Sequence, residues 1–393
     1  MERDMGSREI GVIVNGATSR IGSTQHLRNA LVPMIKEGGV QVGDTRLIPK
    51  LLLCGSNDER LSRVAASCGL TDWTTDVDAA LSDSRYEIFF DAGVTSRREE
   101  LLSAALDAGK HIYAEKPVVR LMDRGIALLR RAETLGLRHG VVEDKLALPG
   151  LRKLAYLASI GFFGRVINFK LEFGWWVFDG FEMECQRPSW NYQRARGGGA
   201  ISDMHPHWRY VIEGILGPIE RVATVAWTGT PRRRDEQGSA YDVDVEDGST
   251  SLAVLENGVT GTIFSSWSTR VRRDEPLLFQ VDGSHGSASA GLHDCFIQPL
   301  AQTPKVRWSP DEGVDVDHFA NWSLMPDLTP PQSGYRAGWE GYLAHVADGR
   351  PFGSDLRAGL RDVLLAEACL MSDRTRAWVD LAALAPSLAA TES

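Results

Sequence analysis

The chain has 393 residues, of which 43% are hydrophobic and 24% charged, the profile of a globular protein long enough for two domains and a sizeable core. Asp and Glu number 52 against 43 Lys and Arg, a net charge of −9 that speaks against nucleic acid or an anionic membrane surface as a partner. No apolar run approaches the roughly 20 residues that span a bilayer. The first residues are polar, unlike a secretory leader, and the five cysteines are scattered with no Cys-x-x-Cys pair, so reduced thiols in a cytoplasmic protein are expected.

Residues 10–14 read as a buried strand and 21–36 as the helix that follows. Residues 51–54 repeat the pattern, with a helix over 59–68 closed by Gly69. A third strand, 88–90, ends at Asp91 and precedes a helix over 99–108 with Gly109 at its end. Residues 111–114 and 138–142 are strands on either side of a helix over 122–135 stopped by Gly136. Strands that are apolar throughout, alternating with helices, indicate a parallel sheet covered on both faces. After about residue 145 the pattern changes. A helix over 151–159 and a long aromatic strand over 166–178 come first. A helix over 203–216 follows, ended by Gly217 and Pro218. Strands over 219–227, 251–255, 259–267 and 277–281 come next, two of them joined by a hairpin turn at Glu256-Asn257-Gly258. Residues 232–248 and 303–334 read as polar loops, the second long enough for a functional arm. Too few helices follow residue 219 to cover both faces of this second sheet, so a homodimer or homotetramer formed through it is expected.

The first strand runs into Gly16-Ala-Thr-Ser-Arg-Ile-Gly22 before its helix. Small residues in such a turn let backbone N–H groups approach a pyrophosphate at the helix N-terminus. Gly16, Thr18, Ser19, Arg20, Ile21 and Gly22 are therefore candidate dinucleotide contacts. Ala17 and Ser19 stand where a standard Gly-x-Gly-x-x-Gly has its first two glycines, and an ordinary tight turn is the alternative. At the end of the second strand a carboxylate would bond a ribose 2′-hydroxyl and repel a 2′-phosphate. Here the chain reads Gly55-Ser56-Asn57, with Ser56 and Asn57 as phosphate donors, Arg20 or Arg60 adding charge, and Asp58 assigned to the first turn of the next helix. This favours NADP over NAD. The turn also resembles that of short-chain dehydrogenases, but none of the eight tyrosines has a lysine four residues later.

Lys116, in Glu115-Lys116-Pro117, stands at the carboxyl end of a parallel strand, at the crevice where such sheets bind ligands. There it can steer a hydroxyl and stabilise developing negative charge; a surface lysine in a turn is the alternative. Pro117 rigidifies that turn and can hold a cis bond. Farther on, Gly197-Gly-Gly leads to a helix start near Asp203, with Pro206 in its first turn. Asp203 and His207 are four residues apart and share a face. A carboxylate beside an imidazole orients it and raises its basicity, which suits a general base; an N-capping aspartate and a core histidine are the alternative. Asp203-x-His205-x-His207 also raises a metal site, but the two histidines point to different helix faces and no further ligand completes the set, so no metal is expected.

With Glu115-Lys116-Pro117 and Gly197-Gly-Gly…Asp203-x-x-x-His207, the sequence resembles the glucose–fructose oxidoreductase/inositol dehydrogenase/MocA family. Ala105-Leu-Asp-Ala-Gly-Lys-His-Ile, Gly161-Phe-Phe-Gly-Arg-Val, Leu360-Arg-Asp-Val-Leu-Leu-Ala-Glu-Ala and Trp378-Val-Asp-Leu agree in order, so the likeness covers nearly the whole chain. The resemblance implies an α/β chain with an N-terminal Rossmann-type parallel sheet over 1–142. Over 143–393 it implies an α+β substrate-binding and oligomerisation domain with a large open, mostly antiparallel sheet. It implies an NAD(P)-dependent oxidoreductase acting on a secondary alcohol or ketone of a sugar, sugar derivative or cyclitol. The family's Lys, Asp and His roles fall on Lys116, Asp203 and His207, and Glu115 borders the cofactor. His205 replaces the glycine usual in Asp-x-Gly-x-His, and Val142-Glu-Asp-Lys145 replaces an Asn-Arg-Arg-Phe-like stretch. Lys145 is a candidate second cation facing the substrate, or else a solvated helix-start lysine. Trp190 is a candidate to pack on a sugar ring, and Asn191 and Tyr192 to bind hydroxyls. Two other readings are redox-neutral, NAD(P)-assisted glycoside cleavage and a non-enzymatic dinucleotide-sensing regulator; intact Lys116 and His207 argue against the second.

Overall fold

In the computed structural model of the chain, which describes residues 6–307, 309, 311, 316–327 and 333–389, seven strands build the first sheet. They are β1 (Gly6–Asn15), β2 (Val40–Val42), β3 (Thr45–Cys54), β4 (Trp73–Thr74), β5 (Ile88–Asp91), β6 (His111–Ala114) and β7 (His139–Val141). The order is β2-β3-β1-β5-β6-β7, with β4 beside β3. All neighbours are parallel except the edge strand β2. Residues 10–14 are buried without alternation because helices cover both faces, as expected. The helix after β1 spans the expected residues but starts as a wide, π-type turn, Ile21–Leu31, before continuing as Val32–Lys36. Asn57 caps the next helix, Asp58–Cys68, by accepting the Arg60 N–H at 2.8 Å, and Asp58 lies in its first turn as expected. Gly69 and Gly136 close their helices in the left-handed conformation.

The chain divides into two units, Met1–Asp144 with Gln332–Val363, and Lys145–Pro331 with Leu364–Ser393. By packing, residues 332–363 go with the first unit, whereas a single boundary after 142 leaves them with the second. The reason is aromatic. Trp339 and Tyr342, on the helix Gly334–Asp348, enter the core of the first unit beside Phe90 and Tyr113. Tyr113 stacks on Tyr342 at 4.5 Å and meets Trp339 edge-on at 4.9 Å.

The second unit holds a nine-stranded sheet. Its strands are β8 (Val166–Gly174), β9 (Ile219–Trp227), β12 (Gly248–Leu255), β13 (Thr260–Ser266), β14 (Leu277–Gly283), β15 (Gly286–Ala290), β16 (Cys295–Pro299), β17 (Ser323–Leu324) and β18 (Val379–Asp380). In the order β17-β16-β15-β14-β8-β13-β12-β9-β18 only β8 and β13 run parallel. The helices Pro149–Ser159 and Ala200–Leu216 pack on one face, and alternate residues of β9 and β12 on the other face stay exposed. β8 ends at Gly174 rather than 178; beyond it the pairing turns irregular, with the Trp175 N–H donating to the Ser266 carbonyl at 3.2 Å and the Val177 N–H to the Trp267 carbonyl at 2.9 Å. The expected loop over 232–248 is instead partly a hairpin, β10 (Arg232–Arg234) with β11 (Ala240–Asp242). The expected arm over 303–334 lies partly outside the described residues; within it Ser323–Leu324 pairs with β16. Among the described residues no helix is long and apolar enough to cross a membrane.

Candidate active site

In the first unit the residues predicted to contact the cofactor follow the carboxyl ends of β1, β3 and β6. Gly16 has φ +72°, and a Cβ there would lie 2.5 Å from the Ala92 carbonyl carbon; one at Gly22 would lie 2.4 Å from the Gly16 oxygen. Only glycine fits either place. Ser19 ties the turn together, accepting the Gly22 N–H at 2.9 Å and donating to the Ala92 carbonyl at 3.1 Å. A turn this tight, leading directly into the helix at Ile21 with Thr18 half-buried and Arg20 exposed, fits the pyrophosphate of a dinucleotide. Ser56 and Asn57 are exposed, but Asn57 Oδ1 is occupied as the helix cap.

The loops around this turn are held by a fully buried carboxylate that the sequence does not single out. Asp91 accepts from Asn15 Nδ2 at 2.6 Å, from the Gly93 N–H at 3.2 Å and from Arg98 Nε at 2.7 Å. Arg98 also donates to the carbonyls of Gly93 at 3.0 Å and Pro117 at 2.6 Å. Pro117 follows Lys116 through a cis bond. Glu115, buried, is fixed from the other side. Trp339 Nε1 donates to His26 Nδ1 at 3.0 Å, and His26 Nε2 lies 2.8 Å from Glu115 Oε1. An indole only donates, so Nδ1 carries the lone pair and the Nε2 proton faces the carboxylate. The other Glu115 oxygen accepts the Lys116 N–H at 3.2 Å, so the backbone of Lys116 is held on both sides while its side chain stays half-buried.

In the second unit the glycine turn serves the helix Ala200–Leu216. Gly199 has φ +122°, and a Cβ there would strike Glu246 Oε1 at 2.5 Å. Glu246 caps the helix: Oε1 accepts the Ile201 N–H at 2.9 Å and its carbonyl accepts the Ala200 N–H at 3.0 Å. Burial pushes this carboxyl up from its ordinary range. The helix therefore starts at Ala200, three residues before the expected Asp203, and Pro206 lies in its interior rather than its first turn. Asp203 forms an ion pair with Arg187, whose guanidinium lies 4.1 Å from the Trp267 ring centre. His207 is buried, with Nδ1 2.7 Å from Tyr210 Oη, and the same oxygen accepts the Lys145 N–H at 3.1 Å. Tyr210, like Glu246, carries no motif by which the sequence marks it.

His205 and His207 diverge. His205 is fully buried, Nε2 lies 3.5 Å from Ser251 Oγ, and Nδ1 has no partner. Burial pushes its imidazole down to about 3. Among the described residues no group of three His, Cys, Asp or Glu side chains is arranged to hold a metal ion. The substrate candidates also separate. Trp190 is 38% exposed, whereas Asn191 and Tyr192 are buried. The short 3-10 turn Ser189–Tyr192 sends Trp190 outward. Tyr192 lies under the Arg233 guanidinium at 3.9 Å and against Trp267. Arg233 is itself buried through its pair with Asp247. Tyr192 is thus packed in the interior of the second unit.

A histidine whose folded pKa is depressed must stay neutral to fold. Its contribution is complete above the unfolded value near 6.5 and is lost as pH falls toward 3, by up to about 1.4 kcal/mol per pH unit. By pH 5 this amounts to about 2 kcal/mol for His205. His205→Leu should remove that loss, since Ser251 keeps Thr224 as a partner at 2.8 Å. Thermal melts of both proteins from pH 7.5 to 5 should show the variant falling less; equal falls would contradict a neutral core histidine.

Residues 151–289 match the family model described as GFO/IDH/MocA C-terminal domain. A D-xylose dehydrogenase of Paenarthrobacter nicotinovorans is 41% identical over 377 residues, 95% of this chain and 97% of that protein. A levoglucosan dehydrogenase of Pseudarthrobacter phenanthrenivorans is 23% identical over 250 residues, 60% and 63% of the two chains. Among solved structures, a levoglucosan dehydrogenase in complex with NADH and levoglucosan matches with a TM-score of 0.77 at 19% identity, covering 95% of this chain and all of that one. With nearly the full length aligned to the first of these relatives, the chain belongs to the GFO/IDH/MocA family of oxidoreductases.

Proposed function

We propose that the protein is an NAD(P)-dependent dehydrogenase that oxidises a CH–OH group of a sugar, with D-xylose the first substrate to test. The observation that carries the reading is the buried His207 imidazole, held at Nδ1 by Tyr210, in a chain 41% identical to a D-xylose dehydrogenase. When bound, the nicotinamide supplies the hydride acceptor. Backbone N–H groups of the 16–22 turn would hold its pyrophosphate. Lys116 is assigned to polarising the hydroxyl oxygen, His207 to taking the hydroxyl proton, and Asp203 to orienting the site with Arg187. Lys145 and the exposed Trp190 are assigned to the sugar. The test is absorbance at 340 nm with aldopentoses, aldohexoses, anhydrosugars and inositols. A sugar should reduce the cofactor, and His207→Ala should lower kcat about 10²–10⁴-fold with cofactor affinity nearly kept. Lys116→Ala should do comparable damage, and Lys116→Arg should not rescue it, because a planar guanidinium does not replace a compact ammonium. Failure of every sugar, or near-wild-type turnover by His207→Ala, would sink the reading.

The cofactor preference proposed is NADP over NAD. What supports it is Gly55, where a carboxylate is missing, beside exposed Ser56, Asn57 and Arg60. A Cβ at Gly55 would meet nothing nearer than Leu61 Cδ2 at 3.4 Å, so Gly55→Asp is sterically tolerable. That variant should shift binding toward NADH by placing charge against a 2′-phosphate. Fluorescence titration decides; a wild-type preference for NADH of about tenfold, or 1.4 kcal/mol, would overturn the proposal.

A homodimer or homotetramer through the second sheet is proposed as well. Val225 and Leu252 stand 56% and 49% exposed on one face of it, near the Trp227 and Phe264 rings. Light scattering should exceed the 43.2 kDa of one chain; a single-chain mass at micromolar concentration would contradict it. A cytoplasmic setting is proposed from the five scattered cysteines, which include no Cys-x-x-Cys pair.

A further inference from the structure

We propose that Glu115 is a positioning residue for Lys116: its carboxylate is the acceptor on which N–H donors converge from the interior of the first unit and from the Lys116 backbone. The inference rests on the reading of Lys116 as the group that polarises the hydroxyl oxygen. Three side chains from separate pieces of the first unit are joined in it. Trp339 lies on the helix Gly334–Asp348, His26 on the helix that follows the glycine turn, and Glu115 directly after β6. Trp339 and His26 have no solvent contact, and Glu115 is 8% exposed. The His26 ring packs against Phe90 at 4.3 Å and meets Tyr335 edge-on at 4.9 Å, which fixes its plane.

The direction of every bond in this chain is set by its two ends, because an indole N–H and a backbone N–H can only donate. Trp339 donates to the lone pair of His26 Nδ1 at 3.0 Å, which leaves the imidazole proton on Nε2, 2.8 Å from Glu115 Oε1. At the other end the Lys116 N–H donates to Oε2 at 3.2 Å. Donors thus reach Glu115 at both oxygens, and only a carboxylate of this shape accepts at both. A glutamine has one oxygen and one amide nitrogen. Whichever way its amide turned, an N–H would face either the His26 N–H or the Lys116 N–H, and a buried donor without an acceptor is costly. The imidazole cannot relieve this by moving its proton to Nδ1, because the Trp339 N–H points there. The carboxylate of Glu115 therefore holds the backbone from which the Lys116 side chain departs, and a shift of about 1 Å at a reacting group can cost about a hundredfold in rate.

The test compares Glu115→Gln, Trp339→Phe, their double variant and Lys116→Ala with wild type on one oxidised sugar. Glu115→Gln should lower kcat about tenfold or more and leave KM within about threefold. Trp339→Phe alone should keep kcat within about threefold of wild type. Without the indole, Nδ1 is free to take the imidazole proton, and Nε2 can accept from the new amide. The double variant should therefore regain kcat to within about threefold of Trp339→Phe, a rescue that loss of packing cannot give. A double variant no better than Glu115→Gln overturns the inference, as does near-wild-type kcat in Glu115→Gln while Lys116→Ala is inactive. Near-wild-type kcat in Lys116→Ala overturns the reading of Lys116 and the inference with it. A second readout needs no turnover: 15N spectra of the full-length chain labelled at histidine, with the His26 signals identified by their loss in His26→Gln. Wild type should carry the His26 proton on Nε2, and the double variant should carry it on Nδ1. Should the Glu115→Gln proteins fail to fold, the wild-type signals decide: a proton on Nε2 alone supports the inference, and a proton on Nδ1 overturns it.

Discussion

A single buried carboxylate organises the carboxyl end of the first sheet. Asp91 has no contact with solvent, so its charge is tolerable only because every direction around it is answered: Arg98, Asn15 and the Gly93 amide all donate to it. Each partner belongs to a different piece of chain. Asn15 ends β1 where the glycine turn begins. Gly93 lies in the loop after β5. Arg98 sits on the next helix and passes the restraint to the Pro117 carbonyl, one residue from Lys116. Moving one of these loops would strand a charge in a dry interior, and that energetic cost keeps the loops in register.

The second unit uses the same device twice. Glu246 answers the N-terminal amides of the helix that carries Asp203 and His207, and it occupies the space that only a glycine at 199 leaves open. Arg233 and Asp247 form an ion pair without solvent contact. Arg233 also donates to the Val177 and Phe178 carbonyls, and Asp247 accepts the Gly229 and Thr230 amides. In both units charged side chains that bond to backbone groups stiffen chain that would otherwise be loop, and rigid loops are what a site needs to hold a reacting group in place.

Much of this is legible in the residues. Unbroken apolar strands alternating with helices identify the parallel sheet, and Gly16 and Gly22 mark the turn because no side chain fits there. Lys116 and the Asp203/His207 pair stand out by motif. The rest depends on distance in space. The helix Gly334–Asp348 has an apolar face, but nothing in it says which sheet that face meets; Trp339 and Tyr342 find Tyr113 more than two hundred residues upstream. Arg232-Arg-Arg reads as a solvated run, yet Arg233 is buried because Asp247 and the Tyr192 ring receive it. Asp91, Arg98, Glu246 and Tyr210 look like ordinary polar residues in sequence, since only the folded chain brings each to the partners that make it structural.

The central claim is that this chain moves hydride from a sugar carbon to a nicotinamide. The most direct test uses D-xylose deuterated at every carbon, incubated with the protein and oxidised cofactor, followed by mass spectrometry of the reduced cofactor. The account predicts one deuterium per reduced nicotinamide. Reduced cofactor carrying only ordinary hydrogen would contradict it.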